Sequence, residues 1–306
     1  MNKAIRIGTR DSELALWQAH TVEKKLNDLG YATEIVAVKS DGDVVLDIPL
    51  YEFGITGIFT KTLDVAMIKG QVDIAVHSMK DVPTALPKGI VQAAVLERAN
   101  VRDILVHKGN LDFLHDAGTI ATGSLRRQAQ WLNRHPNHKV TDLRGNVNTR
   151  LRKLSENDWN GAVFASAGLE RINLLPENHL VLDWMIPAPA QGAMLVVAME
   201  EDTYTREALA KLNDNKTEVA THIERQFLRK LEGGCTAPIG ALATIEDNEI
   251  RFEGVLLSID GKQKIHVEKA MAVSGDFSNF GNDCAEEVLA NGGTELMAEI
   301  REKLKK

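Results

Sequence analysis

Three times before residue 150 a short apolar run passes through a small-residue turn into a helical pattern that carries arginine at or near its start. The junctions are Gly8-Thr9-Arg10-Asp11-Ser12, Thr122-Gly123-Ser124-Leu125-Arg126-Arg127 and Leu143-Arg144-Gly145-Asn146. This strand–turn–helix rhythm restricts the chain to an α/β fold with mainly parallel sheets covered by helices. Each junction also places free backbone N–H groups, the positive end of a helix dipole and an arginine at one spot. That combination binds carboxylate or phosphate, because a planar guanidinium pairs with a carboxylate through two hydrogen bonds. The plainer alternative is serines that only cap helices and arginines that only decorate a surface; it suits any one junction better than all three together.

The rhythm also divides the chain. Residues 4–7, 33–38 and 72–77 read as strands, with helices over 12–29, ended by Gly30, and 59–69, closed by Gly70. A second unit repeats this alternation, with strands over 120–122, 140–143 and 162–165 and helices over 124–133 and 146–155. Beyond residue 215 the pattern changes to a helix over 217–231, three β runs over 239–245, 249–258 and 263–273, and helices near 282–290 and 294–304. Asp260-Gly261 supplies a hairpin turn between the last two β runs. A chain of 306 residues holds two or three domains at roughly 150 residues each. The expected division is a first lobe of residues 1–96 with 193–210, a second, basic, anion-binding lobe of 101–187, and a C-terminal α+β domain of 215–306.

Charge is distributed unevenly. The formal net charge is −7, yet residues 120–153 carry six arginines and two lysines against the single acid Asp142. That segment is +7, so the remainder sums to −14. An acidic protein of this kind is not expected to bind nucleic acid, whereas a local arginine-rich stretch within it suits a small polyanion. The apolar run 194–199 is far short of a membrane span, and the opening MNKAIRIGTRDSEL has no secretory apolar core. Two cysteines make no disulfide framework, which points to a reducing, cytoplasmic setting. His135 and His138 flank Pro136 and do not make a helical ligand pair, and no metal is expected.

Two further segments can carry chemistry. His77-Ser78-Met79-Lys80-Asp81-Val82-Pro83 follows an apolar strand, so Lys80 and Asp81 fall at its C-terminal end, where open α/β sheets bind ligands. A carboxylate there could exchange protons with a nitrogen heterocycle, or simply form a strand-end ion pair. Cys235 sits in the glycine-rich Leu231-Glu-Gly-Gly-Cys-Thr-Ala-Pro-Ile-Gly240. It could be a nucleophile, an attachment point or an inert buried thiol, and no base adjoins it in sequence. Cys284 falls in a C-terminal helix and reads as structural.

GTRDSELALWQA, DIAVHSMKDVPT, TGSLRRQAQ, LRGNVNTRL, SAGLERI, PAQGA and LEGGCTAPIG resemble, in order, the motifs of the porphobilinogen deaminase (hydroxymethylbilane synthase) family. The resemblance runs from residue 4 to about residue 245. It implies two lobes like those of periplasmic binding proteins and a small α+β domain. It implies a dipyrromethane cofactor, one per chain, built from two units of the substrate porphobilinogen and held covalently by a thioether to Cys235. Asp81 would be the general acid and base at the pyrrole nitrogens. Arg10, Arg126, Arg127, Arg144, Arg150 and Arg171 would pair with acetate and propionate groups, helped by Ser12, Lys80, Thr122 and Ser124. Four porphobilinogen units would be joined with loss of ammonia and released by water as a linear tetrapyrrole, the work of a cytoplasmic, monomeric transferase of haem biosynthesis with no membrane partner.

Three positions depart from the common pattern: Asn148 where glycine is frequent, a loop Gly54-Ile-Thr-Gly57 without its usual lysine, and Thr62 in place of a glutamate. They touch loop closure and rate rather than the Asp, Cys and Arg set. The rival readings are a non-enzymatic two-lobe anion-binding protein, which needs no cysteine in a glycine-rich loop, and a phosphate-dependent α/β enzyme, which the missing phosphate loop disfavours.

Overall fold

The computed structural model describes residues 3–38, 60–231 and 237–304. In chain order these form β1 (Ile5–Thr9), α1 (Glu13–Asp28), β2 (Thr33–Ala37), α2 (Lys61–Ile68), β3 (Ile74–Ser78) and β4 (Ile90–Val95). Then come β5 (Asp103–His107), β6 (Thr119–Ala121), α3 (Leu125–Arg134), β7 (Lys139–Thr141), α4 (Val147–Glu156), β8 (Gly161–Ala165), α5 (Ser166–Arg171) and β9 (His179–Val181). The chain continues through β10 (Met194–Met199), α6 (Thr203–Ala210), α7 (Asn215–Lys230), β11 (Ile239–Glu246), β12 (Glu249–Leu257), β13 (Lys264–Ala272), α8 (Phe280–Val288) and α9 (Thr294–Leu304). The described residues form two compact units. One takes the chain up to Ala99 together with Gly192–Val219, and the other takes Asn100–Gln191 and the chain from Ala220 onward.

The first unit holds a sheet of order β2-β1-β3-β10-β4. β1 pairs in parallel with β2 and β3, while β10 runs antiparallel to both β3 and β4. Four of the five strands therefore point one way, and β10 alone is reversed. The second unit repeats the arrangement as β7-β6-β8-β5-β9, with β5 as the reversed strand. The mainly parallel α/β fold expected from the rhythm is thus present twice.

Alternation of side chains explains why helices cover both sheets. Along β5, Ile104 and Val106 join one apolar cluster with Ala121, Ala162 and Phe164, while Leu105 joins another with Ile120, Trp131 and Val163. In the first unit, Ala19, Val22 and Leu26 of α1 pack on Ile5, Ile7, Ile74 and Val196. Their spacing is that of one helix stripe. α1 ends one residue earlier than expected, and Gly30 at φ +85° follows it with Tyr31 N donating to Leu26 O at 3.0 Å.

The C-terminal residues form an antiparallel meander β11-β12-β13 with α8 and α9, the expected small α+β element. Asp247 and Asn248, both at positive φ, make the tight turn between β11 and β12. Val255 and Leu257 of β12 pack on Ala129 of α3 and on Ile186, and Asn133 Nδ2 donates to Gly261 O at 2.7 Å. Among the described residues, no helix is long and apolar enough to cross a membrane.

Candidate active site

β1 and β3 are hydrogen-bonded neighbours, and their C-terminal ends lie side by side. The β1–α1 turn is held by Thr9 Oγ1 donating to Ala15 O at 2.9 Å. Ser12 is the N-cap in extended conformation, but its side chain makes no capping bond to the helix. After β3 the chain closes a 3₁₀ turn over Met79–Asp81, tied down by Met79 N donating to Ala193 O at 3.0 Å. These two turns and their flanking elements bring Arg10, Gln18, His77, Ser78 and Asp81 to the wall of one cleft, which Thr60 at the start of α2 also lines. Lys80 precedes Asp81 in the 3₁₀ turn and is half-buried. Gln18 Nε2 donates to Ser78 Oγ at 2.9 Å. Burial, with a smaller push from the Arg10 charge, brings the His77 imidazole down to about 4 and keeps it neutral.

In the second unit the turns that carry Arg126–Arg127 and Arg144 lie together past the C-terminal ends of the paired strands β6 and β7. Gly123 makes this possible, since a Cβ there would lie 2.6 Å from Leu143 O, and only glycine lets the two turns approach so closely. Thr122 Oγ1 accepts from Ser124 N at 3.3 Å, and Ser124 Oγ accepts from Arg127 N at 3.5 Å as the cap of α3. Asn146 Oδ1 caps α4 by accepting from Thr149 N at 2.9 Å. Arg150 Nε donates to Gly145 O at 2.7 Å, which folds its side chain back over the third junction. Arg144 is buried, and burial lowers its pKa against the opposing pull of Asp142. Arg171 closes α5 and is lowered by burial to about 10, still a cation at neutral pH.

Arg126 and Arg127 are placed differently from the others. Both are buried, and both reach the fully buried Asp103 at the start of β5. Arg127 donates to Asp103 Oδ1 from Nε at 3.0 Å and Nη2 at 2.7 Å, and from Nη1 to Val163 O at 3.0 Å. Arg126 sets Nη2 at 2.8 Å from Asp103 Oδ2 and donates from Nη1 to Ile186 O at 2.7 Å. Gln191 Nε2 adds a donor to Asp103 Oδ1 at 3.0 Å. Gln191 belongs to the PAQGA motif, whereas no motif in the sequence singles out Asp103. The available signal was a carboxylate heading the apolar run Ile104-Leu105-Val106, since a lone buried acid needs cationic partners.

Cys235 and the loop Gly54–Gly57 lie outside the described residues. Cys284 is buried in α8, and desolvation pushes its thiol up to about 12, the state of an unreactive structural cysteine. Asn148 is exposed in the first turn of α4, and Thr62 lies in the first turn of α2.

The chain has many relatives among known proteins. The family described as "Porphobilinogen deaminase, dipyromethane cofactor binding domain" matches residues 5–207, and "Porphobilinogen deaminase, C-terminal domain" matches residues 219–290. A porphobilinogen deaminase of Campylobacter hominis is 41% identical, covering 99% of this chain and 99% of its own length. One of Syntrophotalea carbinolica is also 41% identical, covering 98% of this chain and 96% of its own. Among solved structures, the methionine binding protein MetQ is 16% identical at a TM-score of 0.46, covering 68% of this chain and 89% of its own. Matched over nearly its whole length by both domain families and by the two deaminases, the chain belongs to the porphobilinogen deaminase family, whose larger matched domain binds the dipyrromethane cofactor.

Proposed function

We propose that this chain is a hydroxymethylbilane synthase, a transferase that joins four porphobilinogen units head to tail with loss of ammonia and releases hydroxymethylbilane by hydrolysis. The observation that carries the reading is the Asp81 carboxylate sharing one cleft with Arg10 at the ends of paired parallel strands. A pyrrole ligand bearing carboxylates needs those two groups: an acid–base residue for its nitrogen and a cation for its side chains.

The donor set suits dipyrromethane. Each porphobilinogen unit brings two carboxylates, so a cofactor of two units is a compact polyanion. Thr122, Ser124, Arg144 and Arg150 meet at two adjoining helix N-termini, and Arg171 closes a third helix. Arg126 and Arg127 add to the positive potential, since the one Asp103 carboxylate leaves a net cation among three buried charges. Cys235 would hold the cofactor by a thioether. Bound there, dipyrromethane supplies the pyrrole α-carbon to which new units are joined. Asp81 would hold the proton given to the departing amine nitrogen, oppose the positive charge at the pyrrole nitrogen and take up the proton lost from the α-carbon. Arg10, Ser12 and Lys80 would hold the carboxylates of porphobilinogen.

We read the domains as 1–96 with 193–210, 101–187 and 215–306, and the working protein as a cytoplasmic monomer with a small-molecule substrate and no nucleic-acid partner. A denatured intact-mass spectrum, followed by incubation with porphobilinogen, tests the assignment. It should show an excess of two pyrrole units, ammonia release and a linear tetrapyrrole. An unmodified chain without turnover would leave only a two-lobe anion-binding protein.

A further inference from the structure

His77 stands in the cleft wall and has none of the roles above. It follows Ile74, Ala75 and Val76 on β3, is only 7% exposed, and its Nε2 is buried without a hydrogen-bond partner among the described residues. Buried polar atoms in folded proteins are nearly always satisfied, so a nitrogen left over on a side chain that lines a cleft points to a partner that enters the cleft. Its neighbours narrow the identity of that partner. Gln18 and Ser78 bond to each other at 2.9 Å. The charged groups on the cleft wall are Arg10 and Asp81.

We propose that His77 is a further ligand-contacting residue of this cleft, donating from Nε2–H to a carboxylate oxygen of the pyrrole substrate held by Arg10. This rests on the assignment of porphobilinogen as substrate. A pyrrole N–H is a donor and suits Asp81. The substrate's carboxylates are acceptors and suit a guanidinium and a neutral imidazole side by side. Neutrality of the ring supports this geometry, because it lets the imidazole share a desolvated wall with Arg10 without like-charge repulsion.

Three substitutions test it. Gln carries its amide nitrogen close to the position of Nε2, Asn close to that of Nδ1, and Phe fills the ring volume with no polar atom. For each variant we would measure KM and kcat for porphobilinogen, the thermal midpoint and the mass of the covalent adduct. His77→Phe and His77→Asn should raise KM about tenfold, the equivalent of one lost hydrogen bond to a charged group. His77→Gln should recover most of that loss. All three should keep the adduct, and the Phe form should melt no lower than wild type because it removes an unsatisfied buried atom. An unchanged KM in the Phe form would make His77 a core residue and overturn the proposal. If the Phe form does not fold, equal KM values for Asn and Gln overturn it instead. Wild-type protein without adduct or turnover overturns the underlying function, whereas active wild type with an insensitive His77 overturns this inference alone.

Discussion

Arg127 closes on Asp103 through two nitrogens, Nε at 3.0 Å and Nη2 at 2.7 Å, with the carboxylate wholly removed from solvent. Arg126 completes the group from the other oxygen. A helix-start arginine pair that reads as ligand-binding is therefore also a tie between α3 and β5.

Removing the carboxylate should be far worse than removing either cation. Asp103→Ala leaves two buried guanidiniums facing each other, and breaking a buried pair in this way costs about 3–5 kcal/mol. Urea unfolding should show the loss in the midpoint with an unchanged slope. A midpoint within experimental error of wild type would mean that this triad adds nothing to stability.

The two conservative changes at Asp81 should separate. Asp81→Asn keeps the shape but loses the charge and the proton, so turnover should fall about 10²–10⁴-fold. Asp81→Glu keeps the charge one methylene further out and should retain measurable activity. Steady-state turnover of the two proteins side by side decides the matter. An Asn variant as fast as wild type would reduce Asp81 to a strand-end ion-pair residue.

Cys235→Ser should yield a folded protein without adduct and without turnover, since a serine hydroxyl is a much weaker nucleophile than a thiolate. Intact mass and circular dichroism check the two halves of this statement. Cys284→Ser should keep the adduct, because the thiol in α8 is buried and held protonated. An adduct that survives the first change and disappears with the second would move the attachment point.

Acid should weaken the first unit through Asp73. Burial alone would raise its pKa, but hydrogen bonds from Arg6 and Lys3 hold it well below the usual carboxylate range. Arg6 is the stronger partner, as Lys3 is two-thirds exposed and its charge is screened. A depressed carboxylate stabilises fully above its unfolded value near 3.9 and loses that contribution as pH falls through its folded value. Wild type should lose roughly 2 kcal/mol below pH 4 that Asp73→Asn lacks already at pH 7. Parallel stability–pH curves for the two proteins would contradict this.

The C-terminal meander should depend on Gly261. It lies at φ +72°, and a Cβ there would run into Ala129 O and come within 2.6 Å of Asn133 N, both backbone atoms of α3. Gly261→Ala should cost at least about 2 kcal/mol, from the positive φ and the backbone clash together. The thermal midpoint measures it, and an unchanged value would show that the turn at 258–261 relaxes freely.

Local periodicity made the strand–helix order, the three strand–turn–helix junctions and the C-terminal α+β element legible in the sequence. The motifs then marked Asp81, Cys235 and the arginine set as candidates. Such patterns depend on neighbours a few residues apart, where the 2.0 and 3.6 repeats are written directly in the chain. What only the tertiary structure decided involves partners far apart. β10 enters its sheet reversed between β3 and β4, although 116 residues separate Ser78 from its partner Met194. Arg127 turns inward to an acid 24 residues away, and His77 reaches the same cleft as Arg10 with its Nε2 unpaired among the described residues. The physical reason is that an arginine reads alike in sequence whether water or a buried carboxylate receives it. Only desolvation by the packed sheet fixes which charges must find each other inside.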